Sequence, residues 1–399
     1  MLAVEDARSR ILSTIDSLGA EHVLLPDAAR RVLSNDLVAP VSLPLFDNSA
    51  MDGYAVRAND VQAASTEAPV TLKLKGAIAA GATAGSFIVD PGTCIRVFTG
   101  SPLPAGADAI VMQEDTRVLA ESVQVLDSVT PWENVRLTGE DVRANTPVLR
   151  AGERITAATI ALLGALGLRG VSVGRRPAVG IVNTGSELAE SPPLPPAHVF
   201  ECNRHAIATL VADAGGVPRV YPLVRDTIEE TKAALITAFA ECDCVVTTGG
   251  VSVGEHDVVK PALADLGGTV EFWRVAMKPG KPFVFGSLGQ KKLFGLPGNP
   301  VSAFVSCILL VVPAIRKWQG ATNVMPETHP ATLGDAVSNH GDRLHYMRVS
   351  VDAAGIVRST GVQASHTLNS LANANALLPV PPNTAWSFGR TVQVVRWNS

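Results

Sequence analysis

From about residue 174 to 318, apolar runs of strand length alternate with segments of helical period, and this alternation restricts the fold more than any other feature of the chain. Ala178–Asn183 reads as an apolar strand, Asn203–Ala214 as a helix ended by Gly215-Gly216, Val217–Val224 as a strand and Thr227–Ala240 as a helix. Cys244–Thr248 follows as a strand, and Asp257–Leu266 as a helix ended by Gly267-Gly268. Three short strands, Val270–Val275, Phe283–Phe285 and Leu293–Leu296, precede a long helix from Val301. A strand followed by a crossover helix returns parallel to its neighbour, so the alternation predicts a doubly wound, mostly parallel sheet with helices on both faces. Pro218 and Pro222 place Val217–Val224 at an edge, because proline donates nothing to a ladder. Sheets of this kind take ligands beyond the carboxyl ends of their strands.

The flanks differ in character. Val4, Ala7, Ile11, Ile15 and Leu18 recur at helical spacing before Gly19, and a second short helix is expected from Asp27. Residues 44–136 hold short β-like runs such as Val70–Leu74 and Ile95–Phe98, separated by Gly, Pro and Asp. Helical pattern returns at Thr156–Leu166. The expected organisation is therefore a discontinuous helical domain (1–43 and 137–173) with a β-rich domain inserted (44–136), an α/β domain (174–320) and a final β-rich domain (321–399). Runs at Tyr346–Val351, Ile356–Ser359 and Thr391–Trp397 mark the last. Ser191–Pro196, with four prolines, reads as a stiff surface connector.

Composition excludes several classes. With 47% hydrophobic and 18% charged residues, 399 residues make an ordered, multidomain chain. A net charge of −4 gives no bulk attraction for nucleic acid or anionic membrane. Five irregularly spaced cysteines argue against a disulfide framework and suit a reducing cytosol. Cys242 and Cys244 lie two apart in an expected strand and are expected to face one side. Glu5 and Asp6 fall where a signal peptide would be basic, so a cytoplasmic protein is expected. Val301–Ile315 is too short for a membrane span and reads as a buried helix.

The richest chemistry lies in Val245–Asp257, a strand, a glycine-rich loop and a helix start. Gly249 and Gly250 permit a sharp turn and close backbone approach, and Ser252 and Gly254 continue the loop. Successive N–H groups there, with a helix N-terminus, make an anion cradle; the alternative is a plain strand-to-helix turn. Glu187, Asp226 and Asp257 fall at the ends of neighbouring expected strands, where carboxylates hold a divalent cation against an anionic ligand. Asp226 precedes Thr227-x-x-Glu230, a capping box, so it and Asp257 read equally as helix-terminal residues. Lys278 and Lys281, in Met-Lys-Pro-Gly-Lys-Pro, stand on a loop stiffened by proline, as anion-binding or solvated groups. Leu296-Pro-Gly-Asn-Pro300 is a second rigid turn: Pro297, Gly298, Asn299 and Pro300 lead into a helix whose first turn carries Ser302. Asp52 and Thr99 occupy tight turns at Asn48–Tyr54 and Phe98–Pro104.

Six segments together resemble the molybdopterin molybdenumtransferase family, which includes bacterial MoeA and the gephyrin E domain. They are Ser49-Ala-Met-Asp-Gly-Tyr-Ala55, Arg96-Val-Phe-Thr-Gly-Ser-Pro-Leu-Pro104, Gly139-Glu-Asp-Val-Arg143, Thr248-Gly-Gly-Val-Ser-Val-Gly-Glu-His-Asp257, Lys278-Pro-Gly-Lys-Pro282 and Gly295-Leu-Pro-Gly-Asn-Pro-Val-Ser302. The resemblance spans nearly the whole chain. It implies a four-domain homodimer with a molybdopterin-binding α/β domain and a last domain like a β-barrel. It implies a site to which one protomer brings Asp52, Thr99 and Asp141 and the other Glu187, Asp226, Asp257, Lys278, Lys281 and Ser302, with Arg348 and Ser365 at looser matches. The implied reaction inserts molybdenum from molybdate into adenylylated molybdopterin, with Mg²⁺ held by Glu187, Asp226 and Asp257. Two positions depart from the family pattern. Thr184-Gly-Ser-Glu187 has Ser186 where the family carries an aspartate, and Phe200-Glu-Cys-Asn203 replaces Tyr-Asp-Ser/Thr-Asn. These departures leave an alternative implied by the resemblance: a gephyrin-like scaffold that binds membrane-receptor tails or tubulin-like division proteins.

Overall fold

The structure, a computed structural model, describes residues 1–251 and 257–397. The chain groups into two compact units: 1–35, 151–156 and 170–399 form the first, and 36–150 with 157–169 the second. The expected helical domain is thus divided between them.

The first unit is built on a six-stranded sheet. Its strands are β1 (Ala178–Asn183), β2 (Val217–Val220), β3 (Cys244–Thr248), β4 (Thr269–Trp273), β5 (Val284–Leu288) and β6 (Lys291–Leu296), in the spatial order β2-β1-β3-β6-β5-β4. β2, β1, β3 and β6 are parallel, while β5 pairs antiparallel with both β6 and β4. The sheet is therefore mixed. The short turn between β5 and β6 leaves no room for a crossover helix, and a tight turn can join antiparallel strands alone. β2 takes the edge that its prolines require.

Side-chain alternation shows how the sheet is buried. Val179 and Ile181 of β1, Cys244 and Val246 of β3, and Phe294 and Leu296 of β6 face one core. Val182, Val245 and Leu293 of the same strands face the other. The first core is covered by α1 (Val4–Ser13), α2 (Asn203–Asp213) and α5 (Pro300–Trp318). The second is covered by α3 (Ile228–Glu241) and α4 (Val259–Asp265). Burial on both faces explains why these strands are continuously apolar. α5 is long and apolar enough to cross a membrane by length and composition, yet 83% of it is buried inside the protein, as a core helix. Its middle, Cys307–Val311, widens to a π-helical turn ahead of Pro313, which has no N–H to give the regular ladder. The helix expected from Asp27 is instead a single 3₁₀ turn, Leu25–Asp27, that ends there.

Cys242 and Cys244 do not share a face. Cys242 ends α3 and lies against Tyr221 and Gly180 on the second-core side, whereas Cys244, inside β3, faces the first. Every cysteine is free.

The last domain, within the same unit, closes on itself. β7 (Thr328–Leu333), β8 (Leu344–Val351), β9 (Ile356–Ser359), β10 (Ala376–Val380) and β11 (Thr391–Arg396) form the ring β8-β9-β7-β11-β10-β8, a five-stranded barrel filled by Leu333, Val349, Val357, Leu378 and Val394. Closure removes free strand edges. Met277–Lys278 adds a parallel pairing to Leu344–His345 and so fastens the lysine loop to the barrel.

The second unit is β-rich, as expected. Its sheet runs Ala109–Met112, Gly53–Val56, Thr93–Val97, Val70–Ile78, Ser122–Val125, Thr116–Val118. Tyr54, Val56, Cys94 and Val111 face one core, and Ala55, Ile95, Val97 and Ile110 the other.

Phe294 is wholly buried between Phe285, at 5.3 Å between ring centroids, and Trp318, at 6.2 Å. Phe294→Ala is expected to lower the unfolding free energy of the first unit by about 3–5 kcal/mol, read as a shift in the urea midpoint.

Candidate functional site

A cleft of about 640 Å³ opens at the carboxyl ends of β1, β3 and β6. Gly249, Gly250, Asn183, Thr184 and the turn Pro297–Pro300 form its floor, and Glu187 and Asp226 stand on its wall. The site thus lies where parallel α/β sheets place ligands.

The glycines are required by geometry. Gly249 and Gly250 have φ of 85° and 62°. A Cβ on Gly249 would lie 2.2 Å from the Thr184 carbonyl oxygen, and one on Gly250 would lie 2.9 Å from the Thr184 hydroxyl. The backbone of Gly298 packs against Gly249 from the third side, with its Cβ position 3.6 Å from Gly249 Cα. Asn203 at the start of α2 donates from Nδ2 to the Gly298 carbonyl at 2.8 Å, which ties the second turn in place. The hydroxyls of Thr184, Thr247 and Thr248 are buried with no hydrogen-bond partner among the described residues. Buried polar atoms are normally satisfied, so unspent hydroxyls under a glycine cradle mark a place for ligand or water. Ser252 and Gly254 lie outside the described residues.

Asp226 is not a helix cap. Its Oδ2 accepts the Ser186 N–H at 3.1 Å, and the Asp226 N–H donates to Ser186 Oγ at 3.2 Å. Thr227 is the cap, accepting the Glu230 N–H at 3.2 Å, but the reciprocal half of the box is missing because Glu230 accepts from the Arg225 N–H instead. Asp257 is not a cap either; it pairs with Lys260 at 2.5 Å. No group of three His, Cys, Asp or Glu side chains at metal-binding spacing occurs among the described residues.

The other expected residues separate. Lys278 and Lys281 are exposed and make no ion pair among the described residues. Their loop rests on α5: a Cβ on Gly280, φ 104°, would lie 2.5 Å from Ser306 Oγ. Ser302 is 4% exposed, and Asn299 and Pro300 are the residues that line the cleft at the helix start. Arg348 is fully buried and is not among the residues lining this cleft. It donates to Ser370 Oγ at 2.7 Å and to the carbonyls of Val362 and Ala364, and so braces the segment that leads to the cleft. Ser365 is half-buried, and its neighbours His366 and Leu368 are the ones that line the cleft.

In the second unit, the three motif segments form one rim. Leu103 donates its N–H to the Asp47 carbonyl at 2.9 Å, Thr138 donates to the Asp47 carboxylate from N–H and hydroxyl, and the Asp141 N–H reaches the Leu43 carbonyl at 3.1 Å. Asp52 Oδ1 accepts both the N–H and the hydroxyl of Thr99, each at 2.8 Å. These bonds hold the Asp52 carboxyl below the usual carboxylate range, the Thr99 N–H first and its hydroxyl second. Asp141 is exposed.

Sequence reasoning passed over Asn183 and Thr184, although the strand-end rule points to them. It noted Phe200 and Cys202 as departures, and Asn203 as the matching end of that segment, but none of them as lining residues. His366 carries no local signal, since it arrives from the barrel.

Comparison with known proteins agrees with this geometry. Residues 2–167 match the MoeA N-terminal region (domain I and II), 180–317 a probable molybdopterin binding domain, and 330–397 the MoeA C-terminal region (domain IV). Molybdopterin molybdenumtransferase 2 of Mycobacterium tuberculosis is 40% identical over 90% of each chain. Molybdopterin molybdenumtransferase of Haemophilus influenzae is 34% identical over 100% of this chain and 99% of its own. The crystal structure of the molybdopterin biosynthesis MoeA protein from Pyrococcus horikoshii superposes with a TM-score of 0.87 at 32% identity, covering 99% of this chain and all of that one.

Two measurements check the site. Gly249→Ala forces a left-handed alanine, about 1–2 kcal/mol, besides the clash with Thr184; loss of cleft ligand binding by calorimetry is expected, with a lower melting temperature. The Asp52 carboxyl is expected to titrate below the usual range by NMR and to move up in Thr99→Val. Because folding lowers this pKa, its stabilising contribution is present above the ordinary carboxylate value and is lost as pH falls through the folded value.

Proposed function

The chain belongs to the MoeA family, and on that premise we propose that it is a molybdopterin molybdenumtransferase, which inserts molybdenum from molybdate into adenylylated molybdopterin. The observation that carries this is the glycine cradle at the ends of β1, β3 and β6, inside the region matching the molybdopterin binding domain. The Gly250 backbone N–H and the helix start at Asn299-Pro300 receive the phosphates of the pterin substrate, the Gly249 N–H being held by the Leu296 carbonyl. Lys278 and Lys281, exposed and without ion pairs among the described residues, neutralise molybdate and phosphate charge as it arrives. Asp257 precedes Val258 and Val259, which pack on Gly250, and one of its carboxylate oxygens, Oδ1, is buried and unpartnered among the described residues.

Mg²⁺ fits this wall in the manner usual for that ion, through one or two carboxylates with substrate phosphates and water completing the shell. Glu187 and Asp226 would hold it, since both line the cleft. Lys260 occupies one oxygen of Asp257, which makes Asp257 the weaker ligand of the expected three. When bound, the ion would offset the charge of the cleaved phosphate link.

We further propose a cytoplasmic homodimer. Free cysteines throughout suit a reducing compartment. The rim of the second unit exposes Leu45, Phe46, Met51 and Phe98, a cluster of large apolar side chains suited to burial against a second copy. The relatives named above carry the enzyme's name, and no observation favours the receptor-tail or division-protein reading.

Expressed in a molybdenumtransferase-deficient strain, the protein is expected to restore molybdoenzyme activity, and in vitro to insert molybdenum in a reaction stopped by EDTA and recovered with Mg²⁺. A folded, abundant protein with no activity in either assay overturns the proposal. Phe46→Asp is expected to shift the mass measured by light scattering from dimer to monomer.

A further inference from the structure

Asp257 and Lys260 lie one helical turn apart at the start of α4, with Asp257 Oδ2 and Lys260 Nζ separated by 2.5 Å. This is not an ordinary surface pair, which would be solvated and weak. The Asp257 side chain is 11% exposed and that of Lys260 26%. The ammonium is held from another direction as well, 4.2 Å from the centroid of the Trp273 ring on β4. The Arg274 guanidinium stacks on the same ring at 3.9 Å, with Arg274 itself in the left-handed region at φ 75°. Indole is the best cation-binding ring, so Trp273 fixes Lys260, and Lys260 fixes Asp257. Asp257 Oδ1, by contrast, is buried and has no hydrogen-bond partner among the described residues.

We infer that Lys260 is the positioning residue of Asp257, clamped by the face of Trp273, and that it makes Oδ1 the atom offered to the substrate. The inference rests on the proposed molybdenum transfer. An ammonium on Oδ2 stops rotation of the carboxylate about its terminal torsion, which is otherwise broad. It also occupies the lone pairs that a divalent cation would need for two-oxygen contact. Asp257 therefore acts through a single oxygen of fixed direction. The clamp joins α4 to β4 and reaches the end of the glycine loop without entering the cleft.

The test uses the full chain in the molybdenum-insertion assay. Lys260→Met keeps the stem against Trp273 and removes the charge. It is expected to lower kcat about 10-fold or more, the range typical when a group that orients a functional residue is removed, with little change in KM and a melting temperature near wild type. Lys260→Arg recovers part of the rate, because a guanidinium still reaches both Oδ2 and the ring. Butylammonium added to Lys260→Ala restores activity, and does not do so for Asp257→Asn. The double variant Asp257→Asn, Lys260→Met is no slower than Asp257→Asn alone. If Asp257→Asn is impaired while Lys260→Met keeps the wild-type kcat, the inference fails and the parent reading stands. A wild-type protein that inserts no molybdenum overturns both.

Discussion

The close approach of Gly249 to Thr184 organises the first unit. The carboxyl ends of β1 and β3 are drawn together by the Thr184 N–H bonding the Thr248 carbonyl at 2.9 Å, and β6 joins through the Gly249 N–H and the Leu296 carbonyl at 3.2 Å. Chains so close leave no volume for a side chain at the first residue beyond β3. Loops leaving three adjacent strand ends must then diverge, and the space between them becomes the cleft. The burial of β1, β3 and β6 on both faces makes this geometry rigid, since sliding one strand would expose two cores at once.

The same constraint distributes roles among elements. Asn203 enters from α2 to hold the Gly298 turn, and the barrel contributes His366 and Leu368 from a segment braced by Arg348. The lysine loop is fixed at one end by pairing with β8 and in its middle by the contact of Gly280 with α5. The cleft wall is thus assembled from elements far apart in sequence. Their agreement depends on tertiary packing and not on any local pattern.

That division decides what was legible beforehand. Period and length revealed the β-α alternation, the edge position of the proline-bearing β2, the buried character of α5 and the β-rich second unit, because each follows from local pattern. The antiparallel β5 was not legible, since a run such as Phe283–Phe285 says nothing of direction. Cys242 was misplaced because the strand begins at Cys244, two residues later than the spacing argument needed. Ser302 and Arg348 were named from position in the chain, but position does not fix access: Ser302 is buried in the first turn of α5, and Arg348 donates to Ser370, Val362 and Ala364 inside its own domain. His366 was invisible for the opposite reason, since it reaches the site through folding of the barrel.

The departures from the family pattern take on a physical meaning in this frame. Ser186, where the family carries an aspartate, exchanges two hydrogen bonds with Asp226 through its own N–H and hydroxyl. An aspartate there would bring a second carboxylate to the Asp226 N–H that the Ser186 hydroxyl now receives. Serine holds both the N–H and the carboxylate of Asp226 as a neutral partner. Glu201 keeps the carboxylate of the second departed motif, but uses it to receive Asn183 Nδ2 at 2.8 Å and the Arg204 N–H at 2.7 Å, bracing the first residues of α2. Both positions therefore brace the cleft wall through hydrogen bonds within the chain itself.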